Sequence, residues 1–237
     1  MFGFARLFTG NYYQLPTGRV AALDADTPFP PIEYALAEPN GLIAIGGDLS
    51  SQRILAAYQQ GIFPWFNQGE PILWWSPNPR MVLFPEDLRI SKSLTKRLKK
   101  HDYEVKFNQH FKQVMEACAS VSRNQQHGTW ITPEMIEAYC ELHAQGYASC
   151  AETWIDNKLV GGLYGVLINR MFYGESMFHY ITDASKIAFV HMVNYLKQHN
   201  VGMIDCQMNT GHLASLGAKE IDRDLFISTL QKLSKTA

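Results

Sequence analysis

Residues Ala148 to Phe178 read ASCAETWIDNKLVGGLYGVLINRMFYGESMF. Three runs rich in aliphatic, aromatic and β-branched residues, Ala148 to Ile155, Leu159 to Ile168 and Met171 to Phe178, are joined by Asp156-Asn157 and Asn169-Arg170. Asn and Asp tolerate the positive φ of tight hairpin turns, so this spacing predicts an antiparallel meander. Downstream, a helix begins at Asp183 as its cap and runs to about Gln198, Met203 to Met208 forms a strand, and Asp222 opens a final helix with Phe226, Leu230 and Leu233 inward. Upstream, Asp48 or Ser50 caps a short helix stopped by Gly61, and a second helix starts near Ser91. A strand then spans Tyr103 to Phe107. A helix follows with Phe111, Val114, Met115 and Cys118 at core spacing, and Thr132-Pro133-Glu134 opens another that ends near Gly146. This order of elements gives an α+β fold.

With 237 residues, 46% of them hydrophobic and 18% charged, the chain can bury one large or two small cores. No apolar run approaches eighteen residues, so a membrane span is not expected. The start, MFGFARLFTGNYYQL, is broken by Arg6, Thr9 and Asn11 and lacks a signal-peptide core, which points to a soluble, cytoplasmic protein. Cys118, Cys140, Cys150 and Cys206 show no CxxC spacing and are expected to be buried free thiols. The eight His lack HxxxH or HExxH spacing, so no metal site is expected.

Gly61 to Arg80, GIFPWFNQGEPILWWSPNPR, holds three Trp, two Phe and four Pro. Pro and Gly break it too often for a long helix or a central strand, so an ordered aromatic loop is expected. Its rings either pack locally or present flat faces on which a base can stack. The chain divides here, into residues 1–78 and 79–237. The glycines of GLIAIGGDLS match no phosphate-binding loop and are turn residues. From Arg89 to Lys112 there are eight Lys or Arg against Asp102 and Glu104. On the helix from Ser91, Lys92, Lys96, Lys99 and Lys100 fall on one face, while Ile90, Leu94 and Leu98 line the other. Such a stripe is either a solvated helix face or a contact for an RNA backbone.

Two short patterns carry candidate chemistry. In MIDCQM the two-residue period of a strand sends Asp205 and Gln207 to one face and Cys206 to the other, and a carboxylate beside an amide can orient it. In YGESM the same period puts Glu175 and Met177 on one face. Single acids in strands are commonly satisfied structural groups, so neither pattern alone identifies an enzyme.

Taken together, FPPIEYALAEPNGLIAIGGDLS, GIFPWFNQGEPILWWSPNPR, GTWIT, GGLYG, GESMF, ASK, DCQ and HLASLGA closely resemble the bacterial leucyl/phenylalanyl-tRNA protein transferase family, in order from about Phe29 to Ala218. The resemblance implies a GNAT-like acyltransferase domain beneath a smaller N-terminal domain. It also implies transfer of Leu or Phe from aminoacyl-tRNA to proteins beginning with Arg or Lys, an N-degron mark for degradation, with no cofactor. By that resemblance Trp65 and Trp130 hold the terminal adenosine, and Phe172, Met177, Phe189, Met192 and Ile204 line the pocket for the donor side chain. Glu175 meets the positively charged acceptor, and Asp205 with Gln207 forms the catalytic pair. The Asn that the family carries shortly after DCQ is displaced in MNTGH, so Asn209 has no assigned role.

Such a site would run the aminolysis of an activated ester. An α-amine titrates near pH 8 and is partly neutral at physiological pH, so no strong base is needed. Gln207 could accept a hydrogen bond from the attacking amine while Asp205 fixes its orientation, and positioning supplies most of the acceleration. Two alternatives stay open. An acetyl-CoA-dependent GNAT acetyltransferase would share the fold, although no pyrophosphate loop of the Arg/Gln-x-x-Gly-x-Gly/Ala type is present. A non-catalytic RNA-binding module would use the Trp residues and the cationic stripe alone.

Overall fold

The computed structural model of the protein describes residues 11–121 and 129–235; residues 1–10, which carry most of the reading of the chain's start, lie outside it. Strands β1 (Tyr12–Leu15), β2 (Gly18–Leu23) and β3 (Leu42–Gly46) come first, followed by helix α1 (Ser51–Tyr58) with Ser50 as its cap. Strands β4 (Phe63–Pro64) and β5 (Leu73–Trp75) complete a five-stranded sheet in the order β1-β2-β3-β5-β4. The aromatic stretch is therefore not all loop. Leu73–Trp75 contains neither Pro nor Gly, and these three residues form an interior strand in which Trp74 is fully buried.

The second sheet has seven strands: β6 (Arg80–Leu83), β7 (Glu104–Phe107), β8 (Ala148–Ile155), β9 (Lys158–Ile168), β10 (Met171–His179), β11 (Met203–Gln207) and β12 (Lys219–Ile221). Helices α2 (Lys92–Leu98), α3 (Phe111–Ser120) and α4 (Pro133–Ala144) precede the meander, and α5 (Ala184–Gln198), α6 (Gly211–Ser215) and α7 (Arg223–Ser234) follow it. The order is β12-β6-β11-β10-β9-β8-β7, and β8, β9 and β10 form the antiparallel meander expected from their turns. Asp156, Asn157 and Asn169 in those turns do take positive φ. Asp183 precedes α5 in a left-handed conformation, but its carboxylate makes no cap hydrogen bond and instead accepts from Lys186 Nζ at 2.8 Å. Among the described residues no helix is long and apolar enough to cross a membrane.

One irregularity of this sheet positions the functional groups. β10 and β11 run parallel and pair only through Met171–Met203, Phe172–Ile204 and Tyr173–Asp205. Beyond those pairs the strands part, and a register shift between Gly174 and Ser176 leaves Glu175 as an extra residue in β10. The alternation expected for Glu175 and Met177 is thus interrupted at the opening between the strands. Helix α5 packs close to β9 because Gly161 has no side chain: a Cβ there would lie 2.5 Å from the Cβ of Ala184.

Gly165 on β9 lies under the Phe172 ring, and a Cβ there would meet Tyr173 O at 2.3 Å and Phe172 Cζ at 2.5 Å. Gly165→Ala is expected to cost about 1–3 kcal/mol by overpacking, read as a lower denaturation midpoint. Because it pushes Phe172 out of place, the folded fraction should also bind an aromatic ligand of the adjoining cavity more weakly. Unchanged stability would show that β9 and β10 can separate freely here.

Candidate active site

Between the parted ends of β10 and β11 lies a cavity of about 430 Å³. Phe172, Met177, Phe189 and Ile204 form its apolar wall together with Leu163, and Trp65 and Trp130 also line it. Six of the expected ligand-binding residues are thereby brought together from β10, β11, α5 and two distant aromatic segments. Met192 is the exception. It is 1% exposed in the core, because the three-residue step from Phe189 carries it about 4.5 Å along the helix axis and away from the wall. Trp65 is steadied by Trp75, whose indole Nε1 donates to the Trp65 carbonyl at 2.7 Å.

The polar end of the cavity is formed by Glu175 and Gln207, with Gln207 Nε2 donating to Glu175 Oε1 at 3.1 Å. Tyr58 of α1 donates its hydroxyl to the same oxygen at 2.7 Å, and the Tyr139 hydroxyl of α4 stands 3.4 Å from Oε2 and against that of Tyr58. Burial pushes the Glu175 carboxyl up to about 8, aided by the charge of Asp205 and opposed by the two tyrosine hydroxyls and Arg80. Both tyrosines are held protonated by burial and by Glu175, which keeps them donors.

Asp205 does not reach this cavity. It is fully buried and paired with the fully buried Arg80, which donates from Nε to Oδ1 at 2.8 Å and from Nη2 to Oδ2 at 2.6 Å. The guanidinium lies between the rings of Phe63 and Phe226, 4.8 and 4.6 Å from their centroids. Asp205 Oδ1 also accepts from the backbone N–H of Gln207 at 2.9 Å, and Gln207 has φ 57°. The expectation of one face for Asp205 and Gln207 and the opposite one for Cys206 is therefore overturned. Cys206 lines the cavity with Ile204, Asp205 points the other way, and the left-handed turn at Gln207 swings its side chain back to the Cys206 side. Burial and the neighbouring Asp205 charge raise the Cys206 thiol far above its ordinary range, so it stays neutral.

All four cysteines are free, and among the described residues no cluster of His, Cys, Asp or Glu has the form of a metal site. On α2, Lys92 and Lys96 are exposed, and Lys99 and Lys100 lie at and beyond its C-terminal cap, also exposed. Leu94 is buried as expected, whereas Ile90 is 40% exposed and lies ahead of the helix. Tyr58, Tyr139, Arg80, Leu163 and His212 were not singled out by the sequence, because each acts through a partner more than thirty residues away or through a fold-level wall. Arg80, Leu163 and His212 had only the weak signal of lying in the quoted stretches GIFPWFNQGEPILWWSPNPR, GGLYG and HLASLGA.

A carboxyl whose folded pKa is raised binds its proton more tightly folded than unfolded, so its contribution to stability declines as pH rises from about 4.5 to about 8. Glu175→Gln removes that titration. The stability of the variant relative to wild type is expected to improve steadily over this interval and to level off above it, measured by urea denaturation at several pH values. A difference independent of pH would mean that Glu175 ionises normally.

Comparison with known proteins identifies the family. The family model described as leucyl/phenylalanyl-tRNA protein transferase matches residues 82–231, and the model for that family's N-terminal domain matches residues 47–78. A leucyl/phenylalanyl-tRNA–protein transferase of Chromobacterium violaceum is 63% identical over 204 residues, covering 86% of this chain and 87% of the relative. One of Nitrosomonas eutropha is 60% identical over 215 residues, covering 91% and 92%. The crystal structure of FemX superposes with a TM-score of 0.52 at 10% identity, covering 89% of this chain and 81% of that one, and shares its α+β fold. Matched over most of its length by relatives at such identity, the chain belongs to the leucyl/phenylalanyl-tRNA protein transferase family and is an aminoacyltransferase.

Proposed function

We propose that this protein moves Leu or Phe from aminoacyl-tRNA to the N-terminal Arg or Lys of proteins in the cytoplasm, by direct aminolysis of the ester, and so marks them for degradation. The observation that carries the reading is the cavity itself, which joins an apolar wall, two Trp side chains and a Glu175–Gln207 pair in one opening. In this reading the donor side chain occupies the wall of Phe172, Met177, Phe189 and Ile204, where the flexible thioether of Met177 adapts to Leu or Phe. The terminal adenosine stacks on Trp65 and Trp130. The division at residue 78 follows the same proposal, with the last strand of the first sheet ending at Trp75 and the first of the second beginning at Arg80.

The acceptor amine approaches Glu175 and Gln207. Gln207 spends one amide hydrogen on Glu175, leaving its Oε1 to accept from the attacking nitrogen. Asp205 has its oxygens engaged by Arg80 and by the Gln207 backbone and does not line the cavity, so it orients Gln207 rather than exchanging protons with substrate. A cationic acceptor draws Glu175 toward its ionised form, since an opposite charge nearby favours the carboxylate. The nitrogen bonds the ester carbonyl carbon, the bond to the ribose oxygen breaks, and the proton lost from nitrogen ends on that oxygen.

Labelled Phe-tRNA or acetyl-CoA offered with a peptide beginning with Arg tests the reading. Label should pass from Phe-tRNA alone; transfer from acetyl-CoA, or from neither, overturns it. Trp130→Ala should weaken minimal aminoacyl-adenosine donors by about 1–3 kcal/mol, the range for one base stacked on an aromatic ring, and unchanged affinity in a folded variant assigns Trp130 to packing. Replacing Lys92, Lys96, Lys99 and Lys100 by Gln should lower the log-log salt slope of tRNA binding by about 0.7–0.9 for each phosphate that these ammonium groups neutralise, and an unaltered slope leaves the stripe a solvated surface.

Cys206 is on the cavity side, so a covalent aminoacyl-enzyme must be tested directly. Because its thiol is held neutral, Cys206→Ala should keep most single-turnover transfer, whereas Gln207→Ala should lose most of it while folded. A phenylalanyl adduct on Cys206, found by mass spectrometry of enzyme mixed with donor alone, would rule out direct attack.

A further inference from the structure

Two of the motifs quoted for the family resemblance, ASK and HLASLGA, have no place in the donor and acceptor roles above. In the fold they meet. Ser185 and Lys186 of the first and His212 of the second line a second cavity of about 360 Å³, together with His179 and Asp183. Met177 and His212 line both cavities, so the second adjoins the donor pocket.

Its polar groups are mostly donors or groups able to become donors. Lys186 gives one of its three N–H bonds to Asp183 Oδ1 at 2.8 Å, which anchors the ammonium at the cavity and leaves two donors available. Ser185 is 4% exposed, and its hydroxyl lies 3.4 Å from His179 Nδ1. His212 Nε2 is buried and has no hydrogen-bond partner among the described residues. Among the described residues Asp183 is the one carboxylate of the wall, and its charge is met by Lys186. A buried nitrogen left unpaired beside a lysine, a second histidine and a hydroxyl suits a ligand with several acceptor oxygens and negative charge, which is the chemistry of a phosphate.

We propose that this second cavity is a phosphate subsite, holding the phosphodiester immediately 5′ of the terminal nucleoside of the donor. The proposal rests on the reading of the first cavity as the aminoacyl-adenosine pocket. The two cavities meet at Met177 and His212, so a nucleoside stacked on Trp65 and Trp130 with its 5′ side toward that shared wall would bring its phosphate into the second cavity, where the unpaired Nε2 of His212 could donate to it. The subsite would make the enzyme recognise a nucleotide chain rather than a free aminoacyl nucleoside, without reading any base.

The test compares two donors with the full chain and a peptide beginning with Arg: phenylalanyl-adenosine, and the same compound carrying a 5′-phosphate. Wild type is expected to use the phosphorylated donor with a KM about ten-fold lower, the size of one charge-assisted contact. Lys186→Gln should abolish that advantage while leaving KM and kcat for phenylalanyl-adenosine unchanged, and Lys186→Arg should retain most of it. Inorganic phosphate should compete with the phosphorylated donor and spare the other. Equal use of both donors by wild type overturns the subsite, as does a Lys186→Gln loss that is the same for both. Equal inhibition of both donors by inorganic phosphate would assign the cavity to a free anion and overturn it too. Failure of wild type to use either donor would instead remove the underlying reading of the first cavity, and the subsite with it.

Discussion

The buried pair Arg80–Asp205 is the interaction on which the polar end of the site depends. It ties β6 to β11, and its guanidinium is held between Phe63 of the first sheet and Phe226 of the last helix. Placing both charges away from water is expensive, and only bidentate geometry with further hydrogen bonds offsets it. Breaking such a pair from one side costs about 3–5 kcal/mol, because an uncompensated charge stays inside. The carboxylate has a further consequence. By accepting the Gln207 N–H it stabilises a left-handed residue that would otherwise be unfavourable by roughly 1–2 kcal/mol for any side chain but glycine. That turn carries the Gln207 amide to the opposite side of the strand and into the cavity.

The cavity follows from the same sheet. Two parallel strands that pair over three residues and then part leave backbone and side chains facing a common opening, with apolar groups of α5 on one side and tyrosine hydroxyls from α1 and α4 on the other. Glu175 is the extra residue of a bulge, the kind of irregularity that re-aims a side chain. Burial holds its carboxyl up at about 8, so an opposite charge brought into the cavity would draw it toward the carboxylate. In the proposed reaction the ester is already activated, and positioning of two reactants can supply roughly 7–11 kcal/mol of a barrier.

Much of the architecture was legible because it is local. The meander follows from strand runs bounded by Asp-Asn and Asn-Arg, and the caps Ser50, Thr132 and Asp222 follow from short polar side chains that can accept from the first turn of a helix. Leu73–Trp75 was hidden by the prolines around it, since propensity is averaged over a window wider than three residues. The face of Asp205 was misplaced because strict alternation holds only while φ stays extended, and nothing local to DCQ signals the turn at Gln207. Arg80 closes a stretch valued for its aromatics, and its partner lies 125 residues away.

By itself the sequence determined the elements, the α+β class, four free cysteines, of which Cys140 is only half-buried, and, through its ordered motifs, the residue types of the site. Those properties depend on periodicity, capping and side-chain chemistry, which act over a few residues. Tertiary structure alone decided which of those residues share a cavity. It set Met192 in the core and Cys206 on the cavity wall, gave Glu175 its two tyrosine donors, and joined ASK to HLASLGA around a second opening. Each of these outcomes requires strands and helices far apart in the chain to meet at a defined register, and register is a property of the packed sheet rather than of any single segment.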